Sequence, residues 1–107
     1  MNRNIKKIVN QISSILVVGI DARQVYLFGS HAHNTANSNS DIDLFVVADL
    51  NGKKKIEITQ KARRLLLKKI FLPVDILVCD INDFNNRKDN LSTLEYSIAT
   101  EGIKIYG

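Results

Sequence analysis

The chain has 107 residues, enough for one ordinary core and too few for a catalytic domain plus a separate recognition domain. At 45% hydrophobic and 24% charged it has the composition of a globular protein, and no apolar run approaches the roughly 20 residues that cross a bilayer. The basic N-terminus lacks the apolar stretch of a secretory signal. Lys and Arg number 15 against 11 Asp and Glu, a net charge of +4 that permits an anionic partner without demanding one. A lone cysteine, Cys79, excludes an internal disulfide and suits the reducing cytoplasm, the location expected here.

The first element is a helix over residues 2–18. Ile5, Ile8, Val9, Ile12, Ile15 and Leu16 recur at helical spacing, with Lys6, Lys7, Asn10 and Gln11 off the stripe, and Gly19 marks its end. Gln24-Val25-Tyr26-Leu27-Phe28 is aromatic and β-branched and reads as a strand that stops at Gly29-Ser30. Residues 34–40 are small and polar, a loop. Asp41 to Ala48 forms a second strand, closed by a turn at Asn51-Gly52.

Helical spacing returns over 54–71, with Ile58, Ala62, Leu65, Leu66 and Ile70 inward and Pro73 after it. Lys53, Lys54, Lys55, Lys61, Arg63, Arg64, Lys68 and Lys69 crowd this stretch. They read as a solvated face, since no aromatic residues interleave as a nucleic-acid groove requires. Val74 to Val78 is a nearly all-apolar third strand, which places it centrally in a sheet. Residues 82–88 are a short helix or loop. Leu91, Leu94 and Ile98 set a last helix at 91–101 that Gly102 ends, and Ile103 to Tyr106 adds a terminal edge strand. The order α-β-β-α-β-α gives an α/β (α+β) fold, a small mixed β-sheet flanked by helices, with residues 1–107 as a single domain.

Three features carry chemistry. In a strand, residues two apart leave the same face, so Asp41 and Asp43 project together while Ile42, Leu44 and Val46 project oppositely. Two like charges on a half-buried strand repel and cost desolvation, and a hard divalent cation, Mg²⁺ or Mn²⁺, relieves both. Asp75 interrupts an otherwise apolar strand. If the two strands are neighbours, it stands beside the pair, and three carboxylates suffice for the two-metal displacement at phosphorus. Gly29-Ser30 ends a strand, where backbone N–H groups meet an anion and glycine admits close approach. No Gly-Lys-Ser/Thr follows, so this is not a Walker-type loop.

Phe28-Gly29-Ser30, then residues 31–40, then Asp41-Ile42-Asp43-Leu44, and later Val74-Asp75-Ile76, resembles the DNA polymerase beta-type nucleotidyltransferase superfamily. The spacing and the string Ser40-Asp41-Ile42-Asp43-Leu44 resemble its minimal, MNT-type members, as does the ending Glu101-Gly102-Ile103-Lys104-Ile105-Tyr106. The resemblance implies a nucleotide site at Gly29, Ser30, His33 and Ser40, and Mg²⁺ ligands and catalytic carboxylates at Asp41, Asp43 and Asp75. It implies ATP as substrate, attack at the α-phosphorus and loss of pyrophosphate. It also implies a protein partner: MNT-type domains pair with HEPN RNase toxins as antitoxins and transfer AMP to a toxin tyrosine. A non-catalytic module that neutralises its partner by binding alone is the alternative. One position departs from the family pattern. His33 stands where an Arg is usual, and histidine lacks the permanent, forked charge that Arg offers a phosphate.

Overall fold

The computed structural model describes residues 3–33 and 41–107. Its elements are α1 (Arg3–Ile20), β1 (Ala22–Phe28), β2 (Ile42–Ala48), α2 (Lys55–Leu67), β3 (Val74–Asp80), α3 (Ile81–Arg87), α4 (Leu94–Glu101) and β4 (Ile103–Tyr106). The expected order is present, with α3 and β4 realised from the two segments read as short or terminal. The four strands form one mixed sheet in the order β3-β2-β1-β4. β1 is antiparallel to both β2 and β4, whereas β2 and β3 run parallel, joined by α2 as the crossover.

The period-2 alternation sorts side chains onto two faces. Val25, Leu27, Ile42, Leu44, Val46, Ile76 and Val78 face α1 and α2 and build the main core with Val9, Ile12, Leu16, Ile58, Ala62 and Leu66. The opposite face carries a smaller cluster of Tyr26, Phe45, Val47, Cys79, Phe84 and Ile98, covered by α3 and α4. Phe84 is the keystone there, with ring centroids 5.8 Å from Tyr26 and 5.9 Å from Phe45. Burial pushes the Cys79 thiol up to about 11, so Cys79 packs rather than reacts.

Three expectations are corrected. β3 is not central: it is an edge strand, with Leu77 42% exposed. Its apolar run arises because α2 covers one face and β2 one flank, while among the described residues no strand pairs with the other flank. α1 ends near Gly19 as expected but at Ile20, two residues past the expected 18. Gly19 therefore lies inside the helix, where a Cβ would overlap Leu65 Cδ1, so it permits close α1–α2 packing, and the left-handed residue after the helix is Asp21 (φ 56°). The last helix begins at Leu94, because Thr93 caps it: Thr93 Oγ1 accepts from Tyr96 N at 3.2 Å. At the β3–α3 junction the Asp80 carboxylate accepts from Leu50 N at 3.2 Å and Asn82 N at 3.0 Å, tying the loop after β2 to the start of α3. All eight basic residues from Lys53 to Lys69 are exposed, the solvated surface expected of them.

Candidate active site

Asp43 and Asp75, two of the three expected carboxylates, stand together at one end of the sheet. Asp43 and Asp75 are register partners on the parallel β2–β3 ladder, so they leave the same face side by side, at a strand spacing of about 4.8 Å. Asp41 precedes β2 by one residue and acts electrostatically on Asp43. Phe28 pairs with Asp43 from β1, which brings the turn that begins at Gly29 against the same carboxylate.

That turn is tight. Ala32 N donates to Gly29 O at 3.1 Å, and Gly29 holds φ +75°, a left-handed conformation that L side chains resist. A Cβ at Gly29 would overlap Asp43 Oδ2. Glycine is therefore required twice, by the backbone conformation and by the carboxylate lying on its Cα. Gly29 and Asp43, one from each sequence motif, are in physical contact at the place of this one missing carbon.

Asp43 is half-buried, and its pKa is raised, first by burial and then by the charges of Asp75 and Asp41; His31 acts in the opposite sense. A carboxylate destabilised by its neighbours is what a divalent cation relieves. The donors gathered here are oxygens at an open strand end, which suits Mg²⁺, an ion that keeps several waters and takes only one or two carboxylates plus phosphates. Among the described residues no group of three His, Cys, Asp or Glu side chains is placed to hold a metal ion. The histidines divide. His31 is half-buried and within electrostatic reach of Asp43, whereas His33, assigned to the nucleotide from the sequence, is exposed. Ser30 is half-buried in the turn. Ser40 and the 34–40 loop lie outside the described residues.

One residue at the site was not singled out in the sequence. Arg63 Nη2 of α2 lies 3.8 Å from Asp75 Oδ1. α2 packs on the face opposite Asp75, so the guanidinium reaches around the β3 edge to find it. With both side chains more than half exposed the pair adds little stability, but it places a permanent positive charge at the outer flank of the carboxylates. Its only sequence signal was membership of the basic run.

The family model for polymerase beta nucleotidyltransferases matches residues 10–107. A search of the curated proteins finds no match. Among solved structures, a candidate nucleotidyltransferase from Sulfolobus solfataricus is 24% identical, covers 80% of this chain and 76% of its own, and superposes with a TM-score of 0.60. A toxin–antitoxin structure with AMP-PNP is 28% identical over 92% of this chain and 72% of its own, with a TM-score of 0.54. A mutant of the toxin–antitoxin MntA–HpeT, in which two aspartates two positions apart are replaced by glutamate, is 26% identical with the same coverage and a TM-score of 0.53.

Proposed function

Because the chain belongs to the polymerase beta nucleotidyltransferase family, we propose that it transfers AMP from ATP to a tyrosine hydroxyl of a partner HEPN-type RNase toxin and acts as the antitoxin. The observation that carries the reading is the Asp43–Asp75 register pair, with Asp41 beside it and Gly29 pressed against Asp43. The likeness to toxin–antitoxin structures, one with AMP-PNP and one altered at two aspartates with the spacing of Asp41 and Asp43, supports it.

In this reading Gly29 and Ser30 seat the triphosphate: glycine removes the side chain that would block it, and the turn offers N–H donors. Asp41, Asp43 and Asp75 hold Mg²⁺, which when bound neutralises charge on the reacting phosphate. Asp75 accepts the proton of the acceptor hydroxyl. The acceptor oxygen bonds to the α-phosphorus, the bond from that phosphorus to pyrophosphate breaks, and AMP remains on the acceptor. Among the described residues no helix is long and apolar enough to cross a membrane, so nothing in them obstructs a cytoplasmic setting.

The test is incubation with α-labelled ATP, Mg²⁺ and the co-expressed toxin. Label on the toxin that vanishes in Asp43→Ala is the expected result, and an unlabelled toxin would refute it. The turn from Gly29 to His33 holds no Arg or Lys, which favours a second reading as a non-catalytic module that neutralises its partner by binding. Retained neutralisation by Asp43→Ala selects that one.

A further inference from the structure

The open flank of β3 has an unusual surround. A groove of about 300 Å³ follows it, lined by Lys55, Thr59 and Arg63 of α2, Leu94 and Glu95 of α4, and consecutive strand residues that include Ile76 and Val78. Consecutive residues of one strand project to opposite faces. They line one groove together only where the strand's backbone edge is itself the floor. Among the described residues β3 has one ladder partner, β2. Ile42 N donates to Pro73 O at 3.0 Å. Alternation along a parallel ladder then turns the backbone groups of Asp75, Leu77 and Cys79 toward β2 and those of Ile76 and Val78 outward, into the groove.

The walls differ in charge. On the α2 side stand Arg63 near Asp75 and Lys55 near Cys79, with Thr59 between, because α2 runs back along β3. On the other side lie the exposed Leu77 and Leu94, and Glu95, which is mostly buried and paired with Arg87 at 3.5 Å; Asp75 stands on the same face of the strand, just beyond the groove's lining. An added strand would meet cations with one set of alternate side chains and carboxylates and leucines with the other.

We propose that the β3 edge receives the acceptor segment of the partner as a fifth strand. That segment is extended and carries acidic residues on one face. The other face carries the acceptor hydroxyl beside Asp75 and an apolar residue over Leu77. Its pattern is hydroxyl-acidic-apolar-acidic. Docking takes Arg63 off Asp75 and onto the first acidic residue. This rests on the reading of the site as one that modifies a protein hydroxyl, and it adds how that hydroxyl is delivered.

Two capped peptides, Tyr-Glu-Val-Glu-Val-Glu and Tyr-Lys-Val-Lys-Val-Lys, test it against the isotope-labelled protein by amide NMR and hydrogen exchange, first without nucleotide. The acidic peptide is expected to slow exchange at the Ile76 and Val78 amides, and to bind about tenfold more tightly than the basic one, as two exposed charge pairs allow. Lys55→Glu/Arg63→Glu, both exposed changes, is expected to reverse that preference. No protection at Ile76 and Val78 with millimolar acidic peptide overturns the proposal. So does protection that rises with protein concentration alone, which would assign the edge to a second copy of this chain. Adding ATP and Mg²⁺ then separates the two ideas. Docking without transfer refutes the assigned activity and leaves the edge site standing, whereas transfer to tyrosine without protection of the edge refutes the edge site alone.

Discussion

Gly29→Ala isolates the contact on which the site depends. The backbone there has φ +75°, and an L residue held in that region costs about 1–2 kcal/mol. The new methyl also overlaps Asp43 Oδ2. Swinging that carboxylate off its rotamer adds about 0.5–1.5 kcal/mol. The sum, about 1.5–3.5 kcal/mol, lowers Tm by roughly 6–28 °C in a domain of this size. Gly52 supplies the control, since its φ is +78° but nothing lies within 4 Å of an added Cβ. Gly52→Ala therefore shows the backbone cost alone, about 1–2 kcal/mol, with transfer unchanged. Gly29→Ala should lose the additional amount and slow transfer by at least about a hundredfold, because Asp43 is displaced. Thermal denaturation of Gly29→Ala, Asp43→Ala and the double variant measures the coupling directly. In the Asp43→Ala background the collision is gone, so Gly29→Ala should cost no more than Gly52→Ala does. Equal melting losses at positions 29 and 52 in the wild-type background, with transfer retained, would refute the claim that Gly29 and Asp43 are one unit.

Asp43→Asn should raise Tm at neutral pH without metal. The folded-state pKa of Asp43 is raised by burial and then by Asp75 and Asp41, so its ionisation costs stability. The cost is absent below the unfolded value, grows as pH rises through the folded value, and is full above it; the gain in melting temperature should vanish in acid. The same variant should lose transfer by at least about a hundredfold, and Mg²⁺ should raise the melting temperature of the wild type but not of the variant. A wild type that gains nothing from Mg²⁺ would count against the carboxylates as its site. Asp80→Ala removes the acceptor of two backbone N–H groups and should cost about 1–2 kcal/mol, roughly 5–10 °C in Tm, with transfer per folded molecule unchanged. His33→Arg restores a permanent charge to the turn and should lower KM for ATP by about tenfold at constant kcat, while an unaltered KM would remove His33 from the nucleotide site.

The carboxylate cluster was legible because it rests on the period of a strand. Asp41 and Asp43 share a face by spacing alone, and Asp75 is conspicuous among Val74, Ile76, Leu77 and Val78. Its place beside Asp43 was conditional on the two strands being neighbours, and the β2–β3 ladder meets that condition. The Gly29–Asp43 contact was not legible, since it depends on a backbone torsion and on the Phe28–Asp43 register together. The edge position of β3 was misread for a similar reason. An apolar run reports burial of faces, whereas edge or centre is decided by which strands find partners. β1 takes β4 on its free side, so the sheet ends at β3 on the other. Arg63 was hidden because charge counting gave its helix face to solvent. Only the geometry shows one guanidinium bent around the sheet edge.

The order of strands bears on the reaction itself. Displacement at phosphorus places the attacking and leaving oxygens on opposite sides. Across this sheet the Gly29 turn ends β1, Asp43 sits on β2 and Asp75 on β3. On the proposed assignment pyrophosphate leaves on the Gly29 side, and the acceptor hydroxyl enters on the Asp75 side. The α-phosphorus then lies over Asp43, the carboxylate whose ionisation is disfavoured first by burial and then by Asp75 and Asp41. The acceptor side is also the side where the sheet is open and where α2 sets its positive charge. A central β3 would have buried that approach behind a fifth strand of the chain's own. Among the described residues that position beside Asp75 is vacant, and the Arg63–Asp75 pair that spans it is loose enough, at 3.8 Å and in solvent, to yield to an incoming strand.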